Sequence, residues 1–131
     1  MNIVIGSLLV LCILPLSCAW IAGYHRHKQL GRVDNKEPRV QAQQLTGAGA
    51  RAVAAQGNSW EALAVFSAAL LAVVISGLPL SSISTLSLVF VALRVLYIPL
   101  YIGNLDTLRS LVFVAGYGIS MYLFYLALTA G

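Results

Sequence analysis

The sequence predicts an all-α fold: an integral membrane four-helix bundle in one domain over residues 1–131. Three observations carry that expectation. Hydrophobic residues make up 60% of the chain and charged residues 9%, far below the ~25% charged residues of an ordinary soluble domain. The apolar residues gather into four stretches, each near the ~20 residues that a helix needs to cross a ~30 Å hydrocarbon core. Charge is confined largely to the connections, and six of the eight Lys and Arg fall within residues 26–51.

The first span is expected over residues 3–24. Pro15 is a kink point, and Trp20 and Tyr24 fall where amphipathic rings prefer the membrane interface. Pro15 also stands where a lipoprotein cleavage site wants an aliphatic residue, and no Lys or Arg precedes it as a secretory signal requires. The stretch is therefore read as a retained helix. Cys12 and Cys18 lie six apart, which is neither a metal nor a redox spacing, so they are read as small apolar packing groups. His25 and His27 diverge on a helix and make no metal pair.

Residues 25–51 form the basic connection. It lacks the aromatic interleaving of a nucleic-acid surface, and the excess of Lys and Arg between two spans places it in the cytoplasm. Within it, residues 31–45 read as a loop, with Pro38 disfavouring helix at Glu37. Thr46 is a candidate N-cap for the second span, residues 52–76, although Gly47 and Gly49 weaken the first turns. Ala64, Ala68 and Ala72 recur at four-residue spacing and invite the close approach of a neighbouring helix. After a turn over residues 77–81 comes the third span, 82–102, which is apolar until Arg94. A second polar connection, residues 103–106, precedes the fourth span, 108–129, with Arg109 in its first turn.

The costly residues are the polar ones at the ends of these spans. An ionisable side chain within a membrane helix costs ~3 kcal/mol or more unless it faces a partner or a wet cavity. Arg51 and Asn58 are seven apart and nearly superimpose on a helical wheel, with Glu61 on the same side. Arg94, Tyr97 and Tyr101 are spaced by three and four and share a face of the third span. With four spans, these groups and Arg109 come to one depth at the cytoplasmic end. Arginine forks recognise carboxylates, a glutamate receives an ammonium, and Asn and Tyr add neutral hydrogen bonds. The set suits a small zwitterionic peptide. No Cys, His or paired-carboxylate cluster suggests a metal, and no Gly-rich phosphate loop or Ser/His/Asp set is present. The plainer alternative is a structural one: Arg94 pairs with Glu61 inside the bundle while the tyrosines anchor at the interface.

Four motifs together carry a resemblance. Glu37-Pro38-Arg39 lies in the basic loop. The pattern RAxxAQxNxxE runs from Arg51 to Glu61, with Phe66 five residues on. RxxYxxxY runs from Arg94 to Tyr101, and Arg109-Ser110 follows. The chain resembles the MAPEG family, membrane-associated proteins in eicosanoid and glutathione metabolism, and is most similar to its short bacterial members. The resemblance implies a left-handed four-helix bundle assembled as a homotrimer in a bacterial inner membrane, with glutathione bound between subunits at the cytoplasmic end. It implies that Asn58 and Glu61 hold the peptide's polar groups, with Arg94, Tyr97 and Tyr101 lining the same pocket. Relatives often carry an arginine where this chain has Ala54, and Arg51, one turn earlier, would take that role. Arg109 would stabilise the glutathione thiolate.

Three functions follow as expectations. The first is a glutathione-dependent transferase or peroxidase acting on a hydrophobic electrophile or a lipid hydroperoxide that enters from the bilayer. The second is a non-catalytic lipid-binding scaffold of the same family. The third is a small transporter subunit, which Glu61 disfavours because it lies near one end of the second span.

Overall fold

The computed structural model describes residues 2–131. Four long helices and one short one account for the architecture: α1 (Asn2–Leu30), α2 (Pro38–Ala42), α3 (Gly47–Ile75), α4 (Ser84–Ile102) and α5 (Asp106–Thr129). No strand occurs among the described residues. α1, α3, α4 with the single 3-10 turn that leads into it, and α5 are each long and apolar enough to cross a membrane.

α1 continues to Leu30, six residues beyond the expected end of the span at Tyr24. His25 to Leu30 contains no residue that stops a helix. The stop comes at Gly31, whose φ of +80° is open to glycine without strain and whose N–H bonds to the His27 carbonyl. Pro15 is tolerated inside α1 and is buried against its neighbours.

The basic connection is more ordered than a loop. Pro38 opens α2 at a position where its missing N–H costs nothing. The buried Gln41 side chain then organises the segment: its Oε1 accepts from the Asp34 N–H at 2.9 Å and from Arg26 at 3.4 Å, while its Nε2 donates to the Arg32 carbonyl at 2.7 Å. Asp34 Oδ1 accepts the backbone N–H groups of Lys36 and Glu37. Those two donors hold its carboxyl below the usual carboxylate range.

Thr46 occupies the N-cap position of α3, but its hydroxyl does not cap the helix. Gln29 takes over, accepting the Thr46 N–H and donating to the Thr46 carbonyl, each at 3.1 Å, and so pins the end of α1 to the start of α3. The same junction needs Gly49: a Cβ there would lie 2.8 Å from His25 Cβ. α3 thus begins at Gly47, directly after the expected N-cap Thr46 and five residues ahead of the membrane span expected from residue 52. At the other end of the bundle Gly77 turns the chain with φ +79°. The 3-10 turn Leu80–Ile83 takes residues 82 and 83, which were expected to open the third span.

α3 packs against α1, α4 and α5, and α4 also touches both α1 and α5. The core runs from Val4, Leu11, Phe66, Val73, Phe90 and Leu123 through Cys18, Ala55 and Ile98 to Ala22, Leu45 and Ala52. Phe66 and Phe90 stack at 4.2 Å and 7°. The small residues that let α1 approach α3 include Ala52 and Ala55. Ala64 and Ala68 of the expected alanine stripe are instead exposed on the outside of the chain and Ala72 is half-buried. That face meets lipid or another molecule.

Candidate functional site

Successive long helices run in opposite directions, so the start of α3, the end of α4 and the start of α5 share the end of the bundle that carries the basic connection. There α3 and α5 part over α4 and leave a groove of about 570 Å³. Its lining includes Asn58 and Glu61 from α3, Tyr97 and Tyr101 from α4, and Arg109 and Phe113 from α5. Helical spacing explains each contribution. Asn58 and Glu61 are one turn apart, Tyr97 and Tyr101 are four apart, and Arg109 and Phe113 are four apart, so each pair lies on a single face.

Arg94 sits behind the groove rather than on it. Only 3% exposed, it donates from Nη2 to Asn58 Oδ1 at 2.8 Å and lies 4.1 Å from the Tyr97 ring centroid. The expected alternative pairing of Arg94 with Glu61 is therefore replaced by a bond to Asn58. A neutral amide accepts one N–H of the buried guanidinium, and the Glu61 carboxylate is left exposed on the groove wall.

Arg109 stands over the Tyr101 ring, 4.3 Å from its centroid. Tyr101 meets Tyr97 edge to face at 5.6 Å, and Tyr97 packs against Phe113 at 6.4 Å. The aromatic ring beneath Arg109 fixes its plane without occupying its five N–H donors. A cation held this way at a partly desolvated wall can stabilise an anion placed in the groove.

Arg51 is not in the groove lining. Its Nε donates to the Ile102 carbonyl at 2.9 Å, where the last turn of α4 leaves carbonyls without helical partners. The wheel reading put Arg51 on the Asn58 side correctly in angle, but it stands about two turns nearer the start of α3, level with the end of α4. That bond uses one of its five N–H donors.

Several lining residues were not singled out from the sequence as site residues: Ser110, Phe113 and Val114 in the groove, and Tyr117 and Ser120 further along α5. Phe113 and Tyr117 follow Arg109 at four-residue intervals, a face that could have been read. Nothing in their side chains separates them from lipid-facing aromatics. Among the described residues no group of three or more His, Cys, Asp or Glu could hold a metal.

The profile of the MAPEG family matches residues 3–129. Comparisons with curated proteins and with solved structures return no significant match. The family and the four membrane-crossing helices together make this an integral membrane protein. With almost the whole sequence covered by that one profile, the chain belongs to the MAPEG family.

Proposed function

We propose that the groove binds glutathione and that the protein is a glutathione-dependent transferase or peroxidase acting on hydrophobic electrophiles or lipid hydroperoxides. The observation that carries this reading is the meeting of Asn58, Glu61, Tyr97, Tyr101 and Arg109 in one groove of about 570 Å³. That volume lies within the range of small-molecule sites. MAPEG members commonly use glutathione, a zwitterionic peptide with one ammonium, two carboxylates and a thiol, and the donor set fits it. Glu61 is the acceptor for the ammonium, the tyrosine hydroxyls and the Asn58 amide meet neutral peptide groups, and Arg109 offers an unencumbered fork of donors.

Bound glutathione supplies a thiolate sulfur that forms a bond to an electrophilic carbon or a peroxide oxygen, while the leaving group takes the displaced electron pair. The protein's part is to hold and bias that thiol. A cation in a low-dielectric site lowers a thiol pKa from ~8.5, and each unit is worth ~1.4 kcal/mol. Arg109 takes this role in the proposal, and Tyr101 holds the guanidinium in place. Arg94 keeps Asn58 oriented from behind. The exposed outer face of α3 with Ala64 and Ala68 is assigned to subunit packing in a homotrimer, and the basic connection to the cytoplasmic side.

Glutathione-dependent turnover by the purified protein, assayed against a panel of hydrophobic electrophiles and hydroperoxides, tests the reading. Turnover with at least one of them is expected. Glutathione binding with no turnover on any would move the protein to the non-catalytic lipid-binding branch.

A further inference from the structure

α4 ends in a left-handed turn. Asn104 takes a φ of +61°; its N–H bonds to the Tyr101 carbonyl at 3.0 Å, that of Leu105 to the Leu100 carbonyl at 2.9 Å, and that of Gly103 to the Pro99 carbonyl at 2.9 Å. This serves three of the four carbonyls that the end of a helix leaves over. Among the described residues no backbone N–H reaches the fourth, that of Ile102. Arg51 does so from α3, through Nε at 2.9 Å. One helix thus caps another, and a cationic side chain suits the negative end of the helix dipole.

The capped corner carries part of the groove. Tyr101 immediately precedes Ile102, and Arg109 is tied to residues 100–105 at both ends of its side chain. Its backbone N–H bonds to the Leu105 carbonyl at 2.9 Å, and its guanidinium lies 4.3 Å from the Tyr101 ring centroid. The corner has little slack. A Cβ on Gly103 would stand 2.9 Å from the Pro99 carbonyl oxygen, and Asn104 holds a φ that few residues other than glycine adopt. Arg51 itself is half-buried and is not part of the groove lining. It precedes Asn58 by seven residues, about 10 Å along α3.

We propose, resting on the glutathione reading above, that Arg51 is a positioning residue: its bond to Ile102 holds the α4–α5 corner, and the corner holds Tyr101 and Arg109 on the groove wall. Arg51 then acts on the thiol through Arg109 and makes no contact with glutathione. The bond that does this comes from Nε, not from the outer nitrogens of the fork. Glutamine carries its Nε2 the same number of bonds from the backbone, so Arg51→Gln keeps the donor and removes the charge. Arg51→Met has the same length and no donor. A residue that held a glutathione carboxylate by charge would fail in both variants, whereas a cap fails only in the second.

The two variants are compared with the unmodified full chain in detergent by glutathione titration with thiolate absorbance, by steady-state kinetics, and by amide hydrogen exchange over residues 103–109 without glutathione. Arg51→Met is expected to exchange faster at the corner, to give a weaker thiolate signal and to lower kcat on the order of tenfold, the scale of a small misplacement at a reacting centre, with glutathione affinity changed little. Arg51→Gln is expected to stay close to the unmodified protein in all three. Loss of glutathione affinity in Arg51→Gln would make Arg51 a charged ligand and overturn the proposal, as would an Arg51→Met protein indistinguishable from Arg51→Gln. The glutamine result decides alone if the methionine variant does not fold. If the unmodified protein binds no glutathione, the functional reading falls while the exchange comparison still judges the cap: faster exchange in Arg51→Met supports it, and equal exchange in the two variants overturns it.

Discussion

Arg94 and Asn58 form a bond between α4 and α3, guanidinium Nη2 to amide Oδ1 at 2.8 Å, at a point where the arginine is 3% exposed. Removing the amide strands a charge inside the bundle. Asn58→Ala is therefore expected to destabilise the protein by about 2 kcal/mol, the scale of a hydrogen bond to a charged group. Asn58→Asp retains the acceptor and should lose much less. Denaturant titration in detergent measures both, and equal stability of the alanine variant would mean that Arg94 finds another partner.

Arg109 and Tyr101 make the second pair. Arg109→Ala is expected to reduce turnover about a hundredfold or more, the scale for losing a group that stabilises developing charge, with glutathione affinity changed little. Tyr101→Phe keeps the ring beneath the guanidinium and should retain most activity, whereas Tyr101→Ala should not. Steady-state kinetics with separate kcat and KM values check this. Full activity in Arg109→Ala would remove Arg109 from the mechanism.

The α1–α3 junction yields a stability prediction. At Gly49 a Cβ would stand 2.8 Å from His25 Cβ and 3.1 Å from Gln29 Nε2, so Gly49→Ala forces the helices apart. It should cost about 1–3 kcal/mol. At Gly118 nothing lies within 4 Å, and Gly118→Ala should stabilise α5 by up to about 1 kcal/mol. Thermal unfolding of the two variants side by side decides the matter: a Gly49→Ala protein as stable as the original would show that the junction is loose.

How much of this was legible follows from which forces act locally. The four spans could be read because a bilayer demands about 20 apolar residues in a row, and polar residues such as Glu61 and Arg94 stand out against that background. Residues 25–30 were assigned to the basic connection because they are mostly polar, yet polarity does not stop a helix and Gly31 does. The basic connection hid its order because it depends on one side chain, Gln41, reaching Asp34, Arg32 and Arg26. The contact that Arg51 makes could not be read because its partner is a backbone carbonyl 51 residues away, at Ile102. The alanines of α3 occur on several faces, so small size alone could not say that Ala52 and Ala55 face inward while Ala64 and Ala68 face out.

The ordered connection predicts a pH response. The Lys36 and Glu37 N–H groups hold the Asp34 carboxyl below its ordinary value of 3.8. A depressed value in the folded chain means that the turn's stabilisation is complete above 3.8 and is lost as pH falls through the lower, folded value. In an NMR titration the Lys36 and Glu37 amide shifts should move together with a midpoint below 3.8, and Asp34→Ala should abolish the transition. A midpoint at or above 3.8 would contradict the hydrogen bonds.

The most direct test of the central claim is a titration of glutathione into the detergent-purified protein, followed both by heat and by the ultraviolet absorbance of the thiolate, with Arg109→Ala alongside. Saturable binding with a thiolate signal at neutral pH is expected, and binding without that signal in the variant. Binding to the unmodified protein with no thiolate signal, or no binding at all, would contradict it.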